Sequence, residues 1–146
     1  MLSRPSKHYS WAEVNPHGFP GLTFSLRVNA VKQAHQMEKL RAGVNELRKA
    51  HHLPETGVRV MSWWRPVWYN KQIHGAVQSQ HIKATACDIA LEEIDRLCPW
   101  AGGRRDFDAL CNRLFKDGGF GQYPGGSRHV DNRGYKARWT TFRRQV

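Results

Sequence analysis

Apolar residues recur every three or four positions between Ser25 and His51. The members of this stripe are Leu26, Val31, Ala34, Met37, Leu40, Val44 and Leu47. Such spacing places them on one face of a long amphipathic helix, and we expect that face to pack into the core. Upstream of it, Ser10-Trp11-Ala12-Glu13 has the form of a capping box, which predicts that a short helix begins there.

The middle of the chain changes from helical to extended patterning. A β-branched and aromatic run from Val58 to Trp64 predicts a buried strand. Pro66 ends that strand because proline lacks the N–H that a central ladder needs. Proline suits the first turn of a helix, so a short helix is predicted over residues 67–73. Residues 81–91 are predicted to be mostly extended.

The last third of the chain predicts one helix followed by a hairpin. Apolar residues at helical spacing between Arg104 and Lys116 indicate the helix, which ends at Asp117-Gly118-Gly119. Two short strands are predicted near residues 120–123 and 128–132, joined by the turn residues Pro124-Gly125-Gly126. Helices followed by a small antiparallel sheet give an α+β domain.

Length and charge narrow the class of protein. The 146 residues suit one compact domain, residues 1–146, which needs neither a disulfide nor a metal to fold. Lys and Arg number 23 against 12 Asp and Glu, so the formal net charge is +11. That field favours polyanions, which include nucleic acid, lipid headgroups, teichoic acid and lipopolysaccharide, and does not choose among them. The basic residues are scattered and accompany no recognition helix or stacking-aromatic motif, which argues against a specific nucleic-acid binder.

The sequence shows neither the pattern of a membrane-targeting segment nor that of a disulfide or zinc-knuckle framework. No run of roughly 18 apolar residues occurs, so we expect no transmembrane segment. The segment Met1–Ser10 lacks the apolar core of a secretory signal peptide. The three cysteines are an odd number without zinc-knuckle spacing, and we expect buried, reduced thiols.

Two histidines and one aspartate are the candidate metal ligands. Imidazole and carboxylate both bind zinc well, and a catalytic zinc takes three protein ligands and leaves a place for water. His81, Asp88 and His129 provide such a set. Asp131 lies two residues after His129, on the same face of a strand, where it would orient the imidazole or share in proton transfer. By spacing alone the pattern is weak, because most chains contain two histidines and an aspartate.

Three blocks of sequence, and a short segment that follows them, resemble one protein family. Ser79 to Asp88 is similar to the Ser-x-His-x-x-Gly-x-Ala-x-Asp motif of the zinc D-Ala-D-Ala carboxypeptidases and their phage endolysin relatives, the group of lysostaphin and the hedgehog domain. Ser62 to Asn70 resembles the family's Ser-Gly-Tyr-Arg-Ser-x-x-Tyr-Asn block. Gly118 to Pro124, followed by His129-Val130-Asp131, resembles its Gly-Gly-x-Gly-x-Tyr-Pro…His-Val-Asp ending. Ala137-Arg138-Trp139 resembles the Arg-Trp that often follows.

This resemblance covers about residues 58–139 and implies a set of site residues. One catalytic zinc is implied, with the ligands His81, Asp88 and His129. Arg65 matches the family arginine that faces the substrate, where a guanidinium holds a peptide carboxylate or a developing oxyanion. Three further residues are expected to border the substrate cleft, with packing an equal alternative for the last two: Ser79, Tyr123 and Trp139.

The chain departs from the family pattern at two places. Ala84 stands where the motif has glycine, and we expect it to be tolerated if its φ stays negative. Several relatives carry an acidic general base three residues before the last ligand, which is the position of Gly126 here. Relatives with a His-x-His ending would place histidine at Ser127. Asp131 is therefore the candidate base, with Glu92 and Glu93 as lesser candidates.

The implied function is hydrolysis of peptide bonds in bacterial peptidoglycan, as endopeptidase or as D,D- or L,D-carboxypeptidase. We expect a monomeric phage endolysin or virion-associated lysin. It would meet anionic envelope polymers through its charge, and would reach the wall from the host cytoplasm with a holin or from the virion. The alternative is a non-catalytic phage module that retains the fold. The missing base favours that alternative, while the intact ligands and Arg65 oppose it. A nucleic-acid-binding protein is a third interpretation, motivated by charge alone.

Overall fold

The computed structural model describes residues 2–140. That residues 1–146 form one domain stays a prediction. The helices of the described range are α1 (Trp11–Val14), α2 (Phe24–Ala50), α3 (Val67–Gln72), α4 (Leu91–Leu97) and α5 (Gly103–Leu114). The strands are β1 (Ala86–Ile89), β2 (Gly119–Gln122), β3 (Arg128–Asp131) and β4 (Ala137–Thr140). The predicted α+β class is confirmed.

Helix α2 is the longest element, and its predicted bounds are confirmed within one residue at each end. The Thr23 side chain caps it by accepting from the Leu26 N–H. Its buried face carries Ala30, Gln33, Ala34, Met37, Leu40, Val44 and Arg48. The guanidinium of Arg48 is satisfied there by main-chain carbonyls, among them that of Leu97 at 2.8 Å. Within the described residues, no helix is both long enough and apolar enough to cross a membrane.

The predicted capping box at α1 is present in both directions. The Glu13 N–H donates to the Ser10 hydroxyl at 3.3 Å. The Ser10 N–H donates to the Glu13 carboxylate at 2.9 Å. Two donors at the start of the helix are therefore satisfied by one pair of side chains.

A four-stranded sheet with the order β1-β3-β2-β4 carries the second half of the fold. The predicted hairpin β2–β3 is antiparallel, and so is the pair β1–β3. Strand β4 was not predicted, and it pairs with β2 in parallel, which makes the sheet mixed rather than antiparallel. Its four residues show no alternation of buried and exposed positions, and the Arg138 guanidinium holds it by donating to the Gly118 carbonyl at 2.7 Å.

The predicted strand from Val58 to Trp64 is wrong. This segment makes only a bridge to β1, with Ser62 opposite Asp88. Beyond the bridge the main chain pairs outside the sheet. The Trp64 N–H donates to the Val14 carbonyl, and the Arg65 N–H donates to the His81 carbonyl. The two tryptophans are buried as predicted, so the apolar run reflects packing in the core rather than a ladder.

The prediction that residues 81–91 are mostly extended holds only for β1. A 3-10 helix spans Gln80–Lys83 and α4 begins at Leu91. The Ser79 hydroxyl caps the 3-10 helix by accepting from the His81 N–H. His81, the first candidate ligand, therefore lies in a capped helical turn and not in an extended segment.

The two faces of the sheet have different surroundings. Cys87 and Val130 lie in the apolar core on the α2 side, where the Gln33 amide donates to the Val130 carbonyl at 3.2 Å. Asp88 and His129 alternate with them and point to the opposite face. The expectation that Cys87 faces the core is confirmed.

The reactivity of the cysteine thiols tests whether these side chains are buried in the native protein. Cys87, Cys98 and Cys111 are all free and buried, and burial raises the pKa of each thiol, that of Cys98 to about 11. We expect no thiol of the native protein to react with an aromatic disulfide reagent at about pH 8, because thiolate is the reactive species. All three should react in guanidinium chloride. Rapid reaction of any thiol in the native state would contradict the packing described.

Candidate metal centre

The three candidate ligands meet on the face of the sheet opposite α2. Asp88 in β1 and His129 in β3 are direct partners across the antiparallel pair. His81 comes from the 3-10 helix that precedes β1. Cross-strand pairing and one capped turn therefore bring together residues from distant parts of the sequence.

The candidate donor atoms form a tight, buried cluster. One donor atom from each of His81, Asp88 and His129 lies within 4.8 Å of the other two. The His81 Nε2 atom is 3.1 Å from Asp88 Oδ1, and the His129 Nδ1 atom is 3.2 Å from the same oxygen. All three residues are at most 3% exposed. Two imidazole nitrogens and a carboxylate oxygen are a donor set that zinc accepts.

The tautomer of His81 leaves one nitrogen free for a metal. Its Nδ1 atom is 2.6 Å from the Trp63 carbonyl oxygen, which can only accept, so Nδ1–H is the donor. Nε2 then carries the lone pair. This nitrogen is buried and makes no hydrogen bond, although the carboxylate of Asp88 is close. A buried polar atom without a partner is costly, and a bound cation would satisfy it.

Asp131 fixes the second imidazole in a complementary way. Its Oδ2 atom is 2.7 Å from His129 Nε2, so Nε2–H donates to it and Nδ1 faces Asp88 Oδ1, 3.2 Å away. The carboxylate also accepts from the N–H of Gly119 and from both main chain and guanidinium of Arg133. Asp131 is fully buried. This geometry favours the orienting role over the proton-transfer role that the sequence left open.

The buried charges shift the pKa values of the three candidate ligands in different directions. Burial opposes the charge on His129, but Asp131 and Asp88 outweigh it and raise the pKa of that imidazole. Burial lowers the pKa of His81, so the imidazole stays neutral over a wider pH range. Burial opposes the charge on Asp88, but His81 and His129 outweigh it and hold the pKa of that carboxyl far below its usual range. The His129 and Arg133 hydrogen bonds likewise outweigh burial and lower the pKa of Asp131.

An open cleft of about 450 Å³ leads to the cluster. Three residues predicted from the sequence to border it do line it: Ser79, Tyr123 and Trp139. The Tyr123 hydroxyl is 3.2 Å from His129 Nδ1. Among the described residues that line the cleft, Asp88 is the one carboxylate. Glu93, a lesser candidate base, is instead bound to Arg96 at 2.7 Å.

Comparison with known families decides the assignment. The model of the peptidase M15 family matches residues 15–102, which is more than half of the chain. The chain belongs to the peptidase M15 family. The match includes His81 and Asp88, whereas His129 lies beyond it and joins them through the fold. Peptidases of this family use zinc, and the donor set fits that cofactor. No curated protein and no solved structure matches the chain significantly.

Arg65 of this M15 peptidase lies in the cleft, held at two atoms. Its Nη2 atom donates to Asp88 Oδ2 at 3.0 Å, and its Nε atom donates to the Ser62 hydroxyl at 3.1 Å. Its Nη1 atom makes only a 3.5 Å contact with Asn70. The arginine therefore balances the charge of Asp88 and keeps donors directed at the cleft.

The alanine at the family's glycine position has left-handed backbone. Ala84 has φ +61°, so the negative φ that was the condition for tolerating alanine is not present. A non-glycine residue in this conformation costs about 1 kcal/mol. The Ala84 N–H donates to the His81 carbonyl, and the Trp63 indole donates to the Ala84 carbonyl at 3.0 Å. These two bonds hold the turn that ends the 3-10 helix.

Close approach of other groups explains two glycines of β2. A Cβ at Gly119 would overlap the Asp131 carboxylate, which accepts from the Gly119 N–H. A Cβ at Gly121 would overlap the indole of Trp139. Gly121 is also the cross-strand partner of His129, whose ring centre lies 5.0 Å from that of Trp139.

A methyl group at Gly121 is therefore expected to disturb the metal centre. Gly121→Ala should destabilise the fold by about 1–3 kcal/mol, as overpacking does, and weaken zinc binding by displacing Trp139 towards His129. Thermal unfolding with and without zinc measures both effects. Gly57→Ala is the matched control, because a Cβ there meets nothing within 4 Å. Equal stability of the two variants would show that Trp139 is not tightly packed on β2.

Proposed function

We propose that this M15 peptidase hydrolyses peptide bonds of bacterial peptidoglycan. One observation carries the proposal. Donor atoms of His81, Asp88 and His129 lie within 4.8 Å of one another, and Asp88 and His129 of this cluster line an open cleft. A site that held metal only for stability would be closed by a fourth protein ligand, whereas three ligands and an open side are typical of catalytic zinc.

The residues of the cleft have different roles in the proposed hydrolysis. When bound, zinc polarises a substrate carbonyl and lowers the pKa of water. Asp131 holds His129 in the tautomer that presents Nδ1. Arg65 and the Tyr123 hydroxyl line the same cleft and can donate to the substrate oxygen as it gains negative charge. Burial raises the pKa of Tyr123 well above its usual range, so it remains a donor.

The surface charge supports a lysin that works on an anionic envelope. The net charge is +11, and the outer face of α2 carries Lys32, Lys39 and Lys49 without a described ion-pair partner. Such a surface raises the rate of encounter with anionic polymers. We propose the role of a monomeric phage endolysin or virion-associated lysin on this basis together with the sequence resemblance.

A second candidate function is a non-catalytic phage module with the same fold. The absence of a free carboxylate among the described residues of the cleft favours it, because peptide hydrolysis needs a group that accepts the proton of water. The unpartnered His81 Nε2 atom argues against it, since a scaffold gains nothing from a buried orphan nitrogen.

Digestion of purified sacculi distinguishes these two functions. Zinc-loaded protein is incubated with sacculi of several wall chemotypes, and soluble fragments are identified by mass spectrometry. His81→Ala and a chelated sample serve as controls. Muropeptides released only by the zinc-loaded wild type support the peptidase and identify the bond. Zinc binding without release from any chemotype would leave the non-catalytic module.

A further inference from the structure

Arg133 is a cleft residue that neither the sequence motifs nor the family match includes. It lies two residues after Asp131, whose carboxylate accepts from its Nε atom at 2.9 Å and its Nη2 atom at 2.7 Å. The guanidinium also lies 5.2 Å from the ring centre of Trp139 and 5.7 Å from that of Tyr135. Two rings and a bidentate ion pair therefore fix this cation in place.

The fixed guanidinium keeps donors for a ligand. A guanidinium has five N–H bonds. Asp131 uses the Nε–H and one N–H of Nη2, and interaction with Tyr135 accounts for at most one more. At least two N–H bonds remain on a side chain that lines the cleft. A cation that is already ordered loses little entropy when it binds an anion.

The net charge of the zinc-loaded cleft also favours binding of an anion. Arg65 is paired with Asp88, and Arg133 is paired with Asp131. These four charges sum to zero, so a bound divalent zinc leaves about two positive charges uncompensated in a site of low dielectric. Because Asp88 is the one carboxylate among the described lining residues, an anionic group of the substrate can supply compensating negative charge that the described lining does not.

We propose that Arg133, backed by Trp139, forms an anion subsite that binds a free carboxylate of the peptide beside the bond that is cut. This inference rests on the proposed function and deepens it by naming a feature of the substrate. Stem peptides of peptidoglycan carry several free carboxylates, whereas most internal positions of ordinary proteins carry none on the main chain. The subsite selects peptides whose free carboxylate reaches Arg133 when the bond to be cut lies at the metal centre.

Paired ligands and variants test the subsite. The probe is the stem tetrapeptide L-Ala-γ-D-Glu-meso-diaminopimelate-D-Ala, compared with forms in which each free carboxylate is amidated in turn. Affinity for the full-length, zinc-saturated protein is measured by calorimetry, and products are checked by mass spectrometry. One amidation should weaken binding to the wild type by at least about 10-fold, the size expected for a charge-assisted hydrogen-bonded pair.

The same amidation should have no effect on Arg133→Gln, because the partner charge is gone. Arg133→Lys should retain part of the effect. Arg105→Gln removes one exposed charge outside the cleft and should behave as wild type. This interaction between ligand and variant is the readout that separates substrate binding from support of Asp131. Loss of support alone would lower zinc affinity and leave the amidation effect unchanged.

Three results would overturn the subsite: equal amidation effects in wild type and Arg133→Gln, no amidation effect in either, or no binding of the tetrapeptide. If sacculi are nevertheless cut by the wild type, only the subsite fails and the proposed function stands. If sacculi are not cut while the amidation effect depends on Arg133, the subsite stands and the proposed activity fails.

Discussion

Replacing Asp88 by asparagine is expected to abolish zinc binding and wall digestion together. The carboxylate is 3% exposed and contacts His81, His129 and Arg65 at 3.0–3.2 Å. An amide has almost the same shape but is a poor zinc ligand, and it leaves the half-buried guanidinium of Arg65 without its counter-charge. Changes around a zinc ligand cost about 10–100-fold in affinity, so loss of a ligand should exceed that range.

Competition with a chromophoric chelator measures the zinc affinity of the variant, and far-UV circular dichroism shows whether the variant is folded. Asp95→Asn is the matched control, because Asp95 makes an exposed pair with Arg104 away from the cleft. It should bind zinc as the wild type does. Asp88→Asn with wild-type zinc affinity would remove Asp88 from the metal centre.

Asp131→Asn is expected to weaken zinc binding far more than it slows the chemistry of the loaded enzyme. The carboxylate accepts from Gly119, Arg133 and His129, so all its oxygen positions are occupied and buried. An asparagine cannot accept all of these bonds, and Arg133 loses its counter-charge. We expect a loss of about 3 kcal/mol in folding free energy and about 10–100-fold in zinc affinity.

Activity at saturating zinc separates this orienting role from that of a general base. If Asp131 only orients His129, most of the activity on sacculi returns once the variant is fully loaded. Loss of a general base would instead lower the rate by about 100–10,000-fold at any zinc concentration. That second outcome, with zinc affinity unchanged, would restore Asp131 as the base and show that its hydrogen bonds open during the reaction.

Periodicity and capping predict the local parts of this fold well. The apolar stripe of α2 and the capping box of α1 depend on residues close in sequence, and both are confirmed. Strand β4 and the bridge at Ser62 depend instead on partners elsewhere in the chain. Their residue patterns alone therefore do not identify their pairing.

In the candidate site too, some features follow from the sequence and others only from the tertiary structure. The resemblance identifies His81, Asp88 and His129, and the fold brings their donor atoms within 4.8 Å of one another. Their tautomers follow from the Trp63 carbonyl and Asp131, which only the tertiary structure places against the rings. Arg133 has no motif position, and only the tertiary structure shows that it pairs with Asp131 and packs on Trp139 at the cleft.

Anomalous diffraction at the zinc edge from crystals of the zinc-loaded protein shows whether zinc occupies this site. We expect one strong peak, bonded to His81 Nε2, to an Asp88 carboxylate oxygen and to His129 Nδ1, at about 2.0–2.2 Å from each. The side of the ion that faces the cleft should carry no protein ligand. A peak elsewhere, or a fourth protein ligand that closes the site, would contradict the assignment of a catalytic zinc centre.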